Sequence, residues 1–188
     1  MNVLSLFDGI SCGQLALQRA GIKVDKYFAS EIDKYAIKVT QENFPDTVQL
    51  GDVTKWETWD LPKIDLLIGG SPCQGFSFAG KQLNFSDPRS ELFFEYVRVL
   101  QKTKPKYFLL ENVKMKQEYQ DVISRYLGVE PIEINSSLVS AQDRKRLYWT
   151  SIPNVTQPED KGMLLKDGKW DYEIHQEASA PQEMLQIS

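Results

Sequence analysis

Short apolar runs alternate with amphipathic stretches along most of this chain, and that alternation limits the fold more than any other feature. "NVLSLF" (2–7), "KYFASE" (26–31), "TVQLGD" (47–52), "IDLLIGG" (64–70) and "KYFLLEN" (106–112) read as buried strands. Between them lie helical patterns. "SCGQLALQRAG" stops at Gly21, and "DKYAIKVTQEN" has Asp33 in the capping position. "SELFFEYVRVLQKTK" places Leu92, Phe93, Tyr96, Val97 and Leu100 on one stripe. "QEYQDVISRYLG" does the same with Tyr119, Val122, Ile123, Tyr126 and Leu127. Strand–helix–strand repetition predicts a doubly wound, mostly parallel sheet covered on both faces, an α/β fold. "PIEINSS" and "RLYWTSI" follow with no helix between them, which predicts an antiparallel hairpin at one edge and seven strands in all.

In such a sheet, ligands gather at the carboxyl ends of the strands. Every one of those ends carries a glycine or a carboxylate here. "FDGISCG" follows the first strand, Glu31 the second, Asp52 the third, "GGSPCQG" the fourth and "ENV" the fifth. Glycines let a ligand approach the backbone, and an acid beyond the second strand suits ribose hydroxyls. "FDGISCG" does not match the dinucleotide fingerprint, and Asp8 would repel a pyrophosphate at a helix N-terminus. A ribose-bearing ligand without phosphate fits better. S-adenosylmethionine is such a ligand, and its cationic groups suit Asp8.

Composition narrows the classes further. No apolar stretch approaches membrane-spanning length, and "MNVLSLFDGISCG" lacks the basic start of a signal peptide. The only histidine is His175 and the only cysteines are Cys12 and Cys73, so neither a metal cage nor a disulfide framework is expected. A net charge of −4 sits poorly with a protein that coats nucleic acid, though it leaves room for a local basic groove. The expected compartment is reducing: cytoplasmic in a prokaryotic or phage-infected cell, nuclear in a eukaryote.

"LFDGISCG", "ASEID", "GDV", "GGSPCQGFS", "LLENV" and "SAQDRKRLYW" occur in the order and spacing of the cytosine-C5 DNA methyltransferases, which the chain resembles over roughly residues 2–155. "DGI", "YFASEID", "IGGSPC" and "RSELFFEYVRVL" are most similar to the mammalian de novo DNA methyltransferases and to bacterial and phage members. The resemblance implies a Rossmann-like methyltransferase fold and methyl transfer from S-adenosylmethionine to cytosine C5, leaving S-adenosylhomocysteine. It implies Cys73 as the nucleophile that adds to C6 of the base, with Pro72 stiffening the backbone before it. Glu111 is implied to hold the N3 and amine edge, with Arg144 and Arg146 supplying positive charge. The implied cofactor set is Phe7, Asp8, Gly9, Ile10, Cys12, Glu31, Ile32, Asp52, Val53, Gly70 and Leu92. The loop from Gln74 to Pro88 is expected to close over a base flipped out of its duplex.

The resemblance divides the chain into a catalytic domain, residues 1–155, and residues 156–188, a polar tail or a truncated remnant of the recognition region. The tail carries seven acidic side chains against three lysines. Members of the family continue into a target-recognition region and a last motif beside the cofactor pocket, and neither is recognisable here. DNA is the expected partner, with a second polypeptide or a second copy supplying the recognition surface. Two alternatives stay open: transfer to RNA cytosine, and a split domain that binds cofactor or a partner without turning over alone.

Overall fold

The computed structural model describes residues 1–72 and 88–164, and the statements below concern those residues. They fall into two compact units. The first, Met1–Asn135 with Lys145–Gln157, holds a seven-stranded sheet. The strands are β1 (Asn2–Leu6), β2 (Lys26–Ser30), β3 (Val48–Gln49), β4 (Leu66–Gly69), β5 (Tyr107–Val113), β6 (Ile132–Asn135) and β7 (Lys145–Thr150). Their spatial order is β3-β2-β1-β4-β5-β7-β6. The first five are parallel, while β7 runs antiparallel to both β5 and β6. The expected hairpin is therefore present, with β7 inserted inside the sheet and β6 at its edge.

Four helices connect the strands: α1 (Cys12–Arg19), α2 (Lys34–Asn43), α3 (Pro88–Thr103) and α4 (Gln117–Leu127). Asp33 caps α2 by accepting the N–H groups of Tyr35 and Ala36 at 2.7 and 3.0 Å, and those bonds hold its carboxyl below the usual range. α4 ends at Gly128, whose φ of 73° is the left-handed conformation that a C-terminal cap requires. The third strand is shorter than its apolar run. Only Val48–Gln49 pairs with β2, and Val53–Thr58 winds instead into a 3-10 turn capped by Asp52.

The central strands are buried on both faces. Val3, Leu4, Leu6, Leu67 and Leu110 are wholly covered, as are Phe93, Tyr96, Ile123 and Trp149. This explains why β1 and β4 read as continuous apolar runs, not as alternating ones. Tyr126 departs from its expected stripe. It is 44% exposed, with its ring edge-on to Phe94 at 5.1 Å between centroids. Leu127, in the same last turn, is buried as expected, while the Tyr126 ring lies against Phe93 and Phe94 of α3.

The second unit comprises Ser136–Arg144 and the stretch from Pro158 onward. Its described part is a 3-10 turn (Ser136–Leu138) and irregular chain, joined where the Lys161 N–H donates to the Leu138 carbonyl at 2.8 Å. Among the described residues no helix is long and apolar enough to cross a membrane.

Leu110 is the test of this core. Leu110→Ala should lower the unfolding free energy by about 2–5 kcal/mol, because a wholly covered strand centre cannot collapse around the void. Urea denaturation checks this: the midpoint should fall with an unchanged slope.

Candidate active site

The strand order reverses between β1 and β4, and the carboxyl ends of the parallel strands open there. The turn after β1 is tightly wound. Phe7, Gly9 and Ser11 have φ of 58°, 60° and 60°. For a ring as bulky as phenylalanine this conformation is uncommon and needs support from its surroundings. Much of that support comes from Glu31, at the end of β2. Its Oε2 accepts the Gly9 N–H at 2.8 Å, and its Oε1 accepts the N–H groups of Ile32 and Asp33 at 2.8 and 2.9 Å. Three donors occupy part of a carboxylate that has about four acceptor positions, leaving capacity for a ligand hydroxyl.

A cavity of about 270 Å³ opens at these ends, lined by Phe7, Ser30, Glu31, Ile32, Gly51, Asp52, Val53, Pro72 and Leu92. Six of the eleven expected cofactor residues belong to it: Phe7, Glu31, Ile32, Asp52, Val53 and Leu92. Asp52 also accepts the Thr54 N–H at 2.9 Å, which holds its carboxyl below the usual range and keeps it ionised. Among the described residues, Ser30, Gly51 and Pro72 are liners that the sequence reading did not assign to the cofactor. Ser30 and Gly51 are joined by a hydroxyl-to-carbonyl bond of 2.7 Å that ties the end of β2 to the end of β3.

The other five expected residues are placed differently. The Asp8 carboxylate accepts the hydroxyls of Tyr27, at 2.8 Å, and of Ser11. Gly9 gives its N–H to Glu31, as described. Ile10 is 52% exposed, and Cys12 is an exposed thiol at the start of α1. Gly70 lies against β5: a Cβ there would sit 3.2 Å from Glu111 Oε2.

That contact joins the cavity's edge to a second feature. Glu111 Oε1 pairs with Arg146 Nε at 2.8 Å. In the register of β5 against β7, Glu111 faces Tyr148 and Val113 faces Arg146, so the pair is a diagonal on one face of the sheet. On the other face Asn112 is buried. Its Nδ2 donates to the Ser71 carbonyl at 3.2 Å and lies 3.3 Å from the Ser71 hydroxyl. This fastens the segment that leads to Pro72 onto β5. Arg144 lies in the second unit, where its carbonyl accepts the Ser136 N–H at 3.1 Å. Cys73 and the loop after it lie outside the described residues. No group of three or more potential metal ligands occurs among the described residues.

Asn112→Ala should cost about 1–3 kcal/mol of unfolding free energy, since the buried Ser71 carbonyl loses its side-chain donor. Chemical denaturation of the variant against the parent chain measures it.

Comparison with known proteins agrees with this arrangement. The family model for C-5 cytosine-specific DNA methylase matches residues 1–124, from β1 into α4. Type II methyltransferase M.NgoBV of Neisseria gonorrhoeae is 39% identical over 169 residues, covering 80% of this chain and 40% of that protein. Orphan methyltransferase M.SPRI of Bacillus phage SPR is 36% identical over 187 residues, covering 93% and 41%. The chain thus spans about two-fifths of the length of these curated relatives. Among solved structures, a prophage-encoded protein of E. coli assigned as a DNA modification methyltransferase is 30% identical with a TM-score of 0.63, covering 80% of this chain and 46% of that one. A sheet of this order, a cavity at its reversal point and a family match running through five of its seven strands agree, and the chain belongs to the C-5 cytosine-specific DNA methylase family.

Proposed function

We propose that this chain transfers a methyl group from S-adenosylmethionine to C5 of cytosine in DNA, through a transient bond between Cys73 and C6 of the base. One observation carries the reading: a single cavity joins the acids at the ends of β2 and β3 to Pro72, the residue immediately before Cys73. Two carboxylates and five apolar side chains suit a ligand with hydroxyls and cationic groups, and they oppose a phosphate. Glu31 has the acceptor capacity for ribose hydroxyls, and Asp52 is ionised and placed to take an amine. Phe7, Val53, Pro72 and Leu92 supply the apolar surface against a nucleobase. When bound, S-adenosylmethionine supplies an electrophilic methyl group.

The protein's part is to make cytosine C5 nucleophilic. The Cys73 thiolate bonds to C6 and pushes electron density onto C5. Glu111 holds the N3 and amine edge of the base, and Arg146, already paired with Glu111, adds positive charge that favours the thiolate. Arg144 keeps the same assignment from the sequence. Loss of the C5 proton to a base then breaks the S–C6 bond and frees the thiol. The bacterial and phage relatives support a cytoplasmic setting. The tail, with seven acidic side chains against three lysines, adds nothing to phosphate attraction. We therefore also assign part of the DNA-recognition surface to a second polypeptide or a second copy. Efficient, sequence-specific methylation by the purified monomer overturns that assignment alone.

A tritiated methyl-transfer assay on DNA and RNA, with and without extract of the source cell, tests the activity. Cys73→Ser should abolish transfer and leave cofactor binding intact, and a fluorocytosine duplex should trap the parent chain, because C5 fluorine blocks the elimination. Full activity in Cys73→Ser would end the covalent reading.

Glu31→Ala should weaken S-adenosylmethionine binding by about 1–3 kcal/mol, and Asp52→Ala should shift it in the same direction. Calorimetric titration decides the matter, with unchanged affinity in both variants counting against the cofactor assignment.

A further inference from the structure

Asp8 does not line the cavity, yet it is hydrogen-bonded through its N–H, its carbonyl and both carboxylate oxygens. Its N–H donates to the Ser30 carbonyl at 3.2 Å, and its own carbonyl accepts the Ser11 N–H at 3.2 Å. Its two carboxylate oxygens accept the Tyr27 and Ser11 hydroxyls. The Thr40 hydroxyl, from α2, lies 3.3 Å from both the Ser11 hydroxyl and the Gly9 carbonyl. Side chains from β2 and α2 therefore converge on one short segment. On one side of Asp8 is Phe7, a wall of the cavity. On the other is Gly9, whose N–H holds Glu31. Whatever fixes Asp8 fixes both neighbours.

Of the two hydroxyls that donate to the Asp8 carboxylate, only that of Tyr27 comes from another strand. It lies on β2 opposite Val3 and is 2% exposed, so its hydroxyl cannot be replaced by bulk water. Burial, and next the negative charge of Asp8, push the phenol's pKa up, so it remains a neutral donor across the physiological range. The approach of α1 is tailored to it. A Cβ at Gly13 would lie 3.2 Å from the Tyr27 hydroxyl and 2.4 Å from Ile68 Cδ1.

We propose that Tyr27 is a positioning residue of the cofactor site: its hydroxyl fixes the Asp8 carboxylate and, through Asp8, the Phe7 wall and the Gly9 N–H that orients Glu31. This inference rests on the reading of the cavity as the cofactor site. Tyr27→Phe removes one oxygen and leaves the ring's packing in place. The partly buried carboxylate then loses one of its two hydroxyl donors, and the turn loses an anchor.

The test is calorimetric titration of the full chain with S-adenosylhomocysteine. Tyr27→Phe should raise the dissociation constant about tenfold, the order expected from one partly buried charge-assisted hydrogen bond. Asp8→Asn should show a comparable loss, and the double variant should lose little more than either alone, as expected for residues acting through one another. Tyr96→Phe is the control. The Tyr96 hydroxyl is also buried but has no hydrogen-bond partner among the described residues, so its removal should leave the dissociation constant unchanged. Wild-type affinity in Tyr27→Phe, full additivity with Asp8→Asn, or an equal loss in Tyr96→Phe overturns the inference alone. A parent chain that takes up no S-adenosylhomocysteine overturns the cofactor reading and the inference with it.

Discussion

The carboxylate of Glu31 gathers three backbone N–H groups, those of Gly9, Ile32 and Asp33, and through them binds the end of β1 to the end of β2. Without such an acceptor the turn after β1 would have to carry left-handed backbone at Phe7 and Ser11 with the Gly9 N–H unheld. With it, Phe7 becomes a fixed wall and α1 begins where Tyr27 and Ile68 leave room for Gly13. The neighbouring strand ends are fastened in a similar way, by the Ser30 hydroxyl on Gly51 and by Asn112 on Ser71. Each bond is modest by itself. Together they turn a row of loose loop starts into a rigid rim, and a rigid rim keeps down the ordering cost of binding a ligand.

The second half of the site depends on strand direction. Parallel strands present only their carboxyl ends at this edge of the sheet. Because β7 runs antiparallel to β5, the start of β7 arrives there instead, and Arg146 meets Glu111 across a diagonal of the ladder. A βαβ crossover to a parallel β7 would have put the arginine at the opposite edge. The single reversal of direction thus brings a guanidinium to a carboxylate that lies 35 residues earlier in the chain (146 − 111).

Much of the architecture was legible in advance, because buried parallel strands need continuous apolar runs and their helices need a 3.6-residue stripe. The runs at 2–7, 64–70 and 106–112 became β1, β4 and β5 within a residue or two. The run at 47–52 did not extend as expected, because only two residues find a ladder partner on β2 and the chain then turns into a 3-10 segment. Tyr126 also misled. Its spacing matches the buried face, but an aromatic ring can cover a neighbouring helix from an exposed position, and pattern alone cannot tell the two apart.

The sequence by itself determined the family, the fold class and the chemical character of each strand end, since these depend on residue type and order. Glu31 and Asp52 are acids beyond their strands, and Glu111 an acid near the end of β5, whatever surrounds them. Only the tertiary structure decided how those acids are used. Asp8 and Glu31 look alike in one dimension, each a carboxylate just beyond a buried strand. In three dimensions Glu31 lines the cavity, while Asp8 is bound up by the Tyr27 and Ser11 hydroxyls. That difference depends on which donors the neighbouring strand and helix bring within about 3 Å, a distance set by packing and register, not by proximity along the chain.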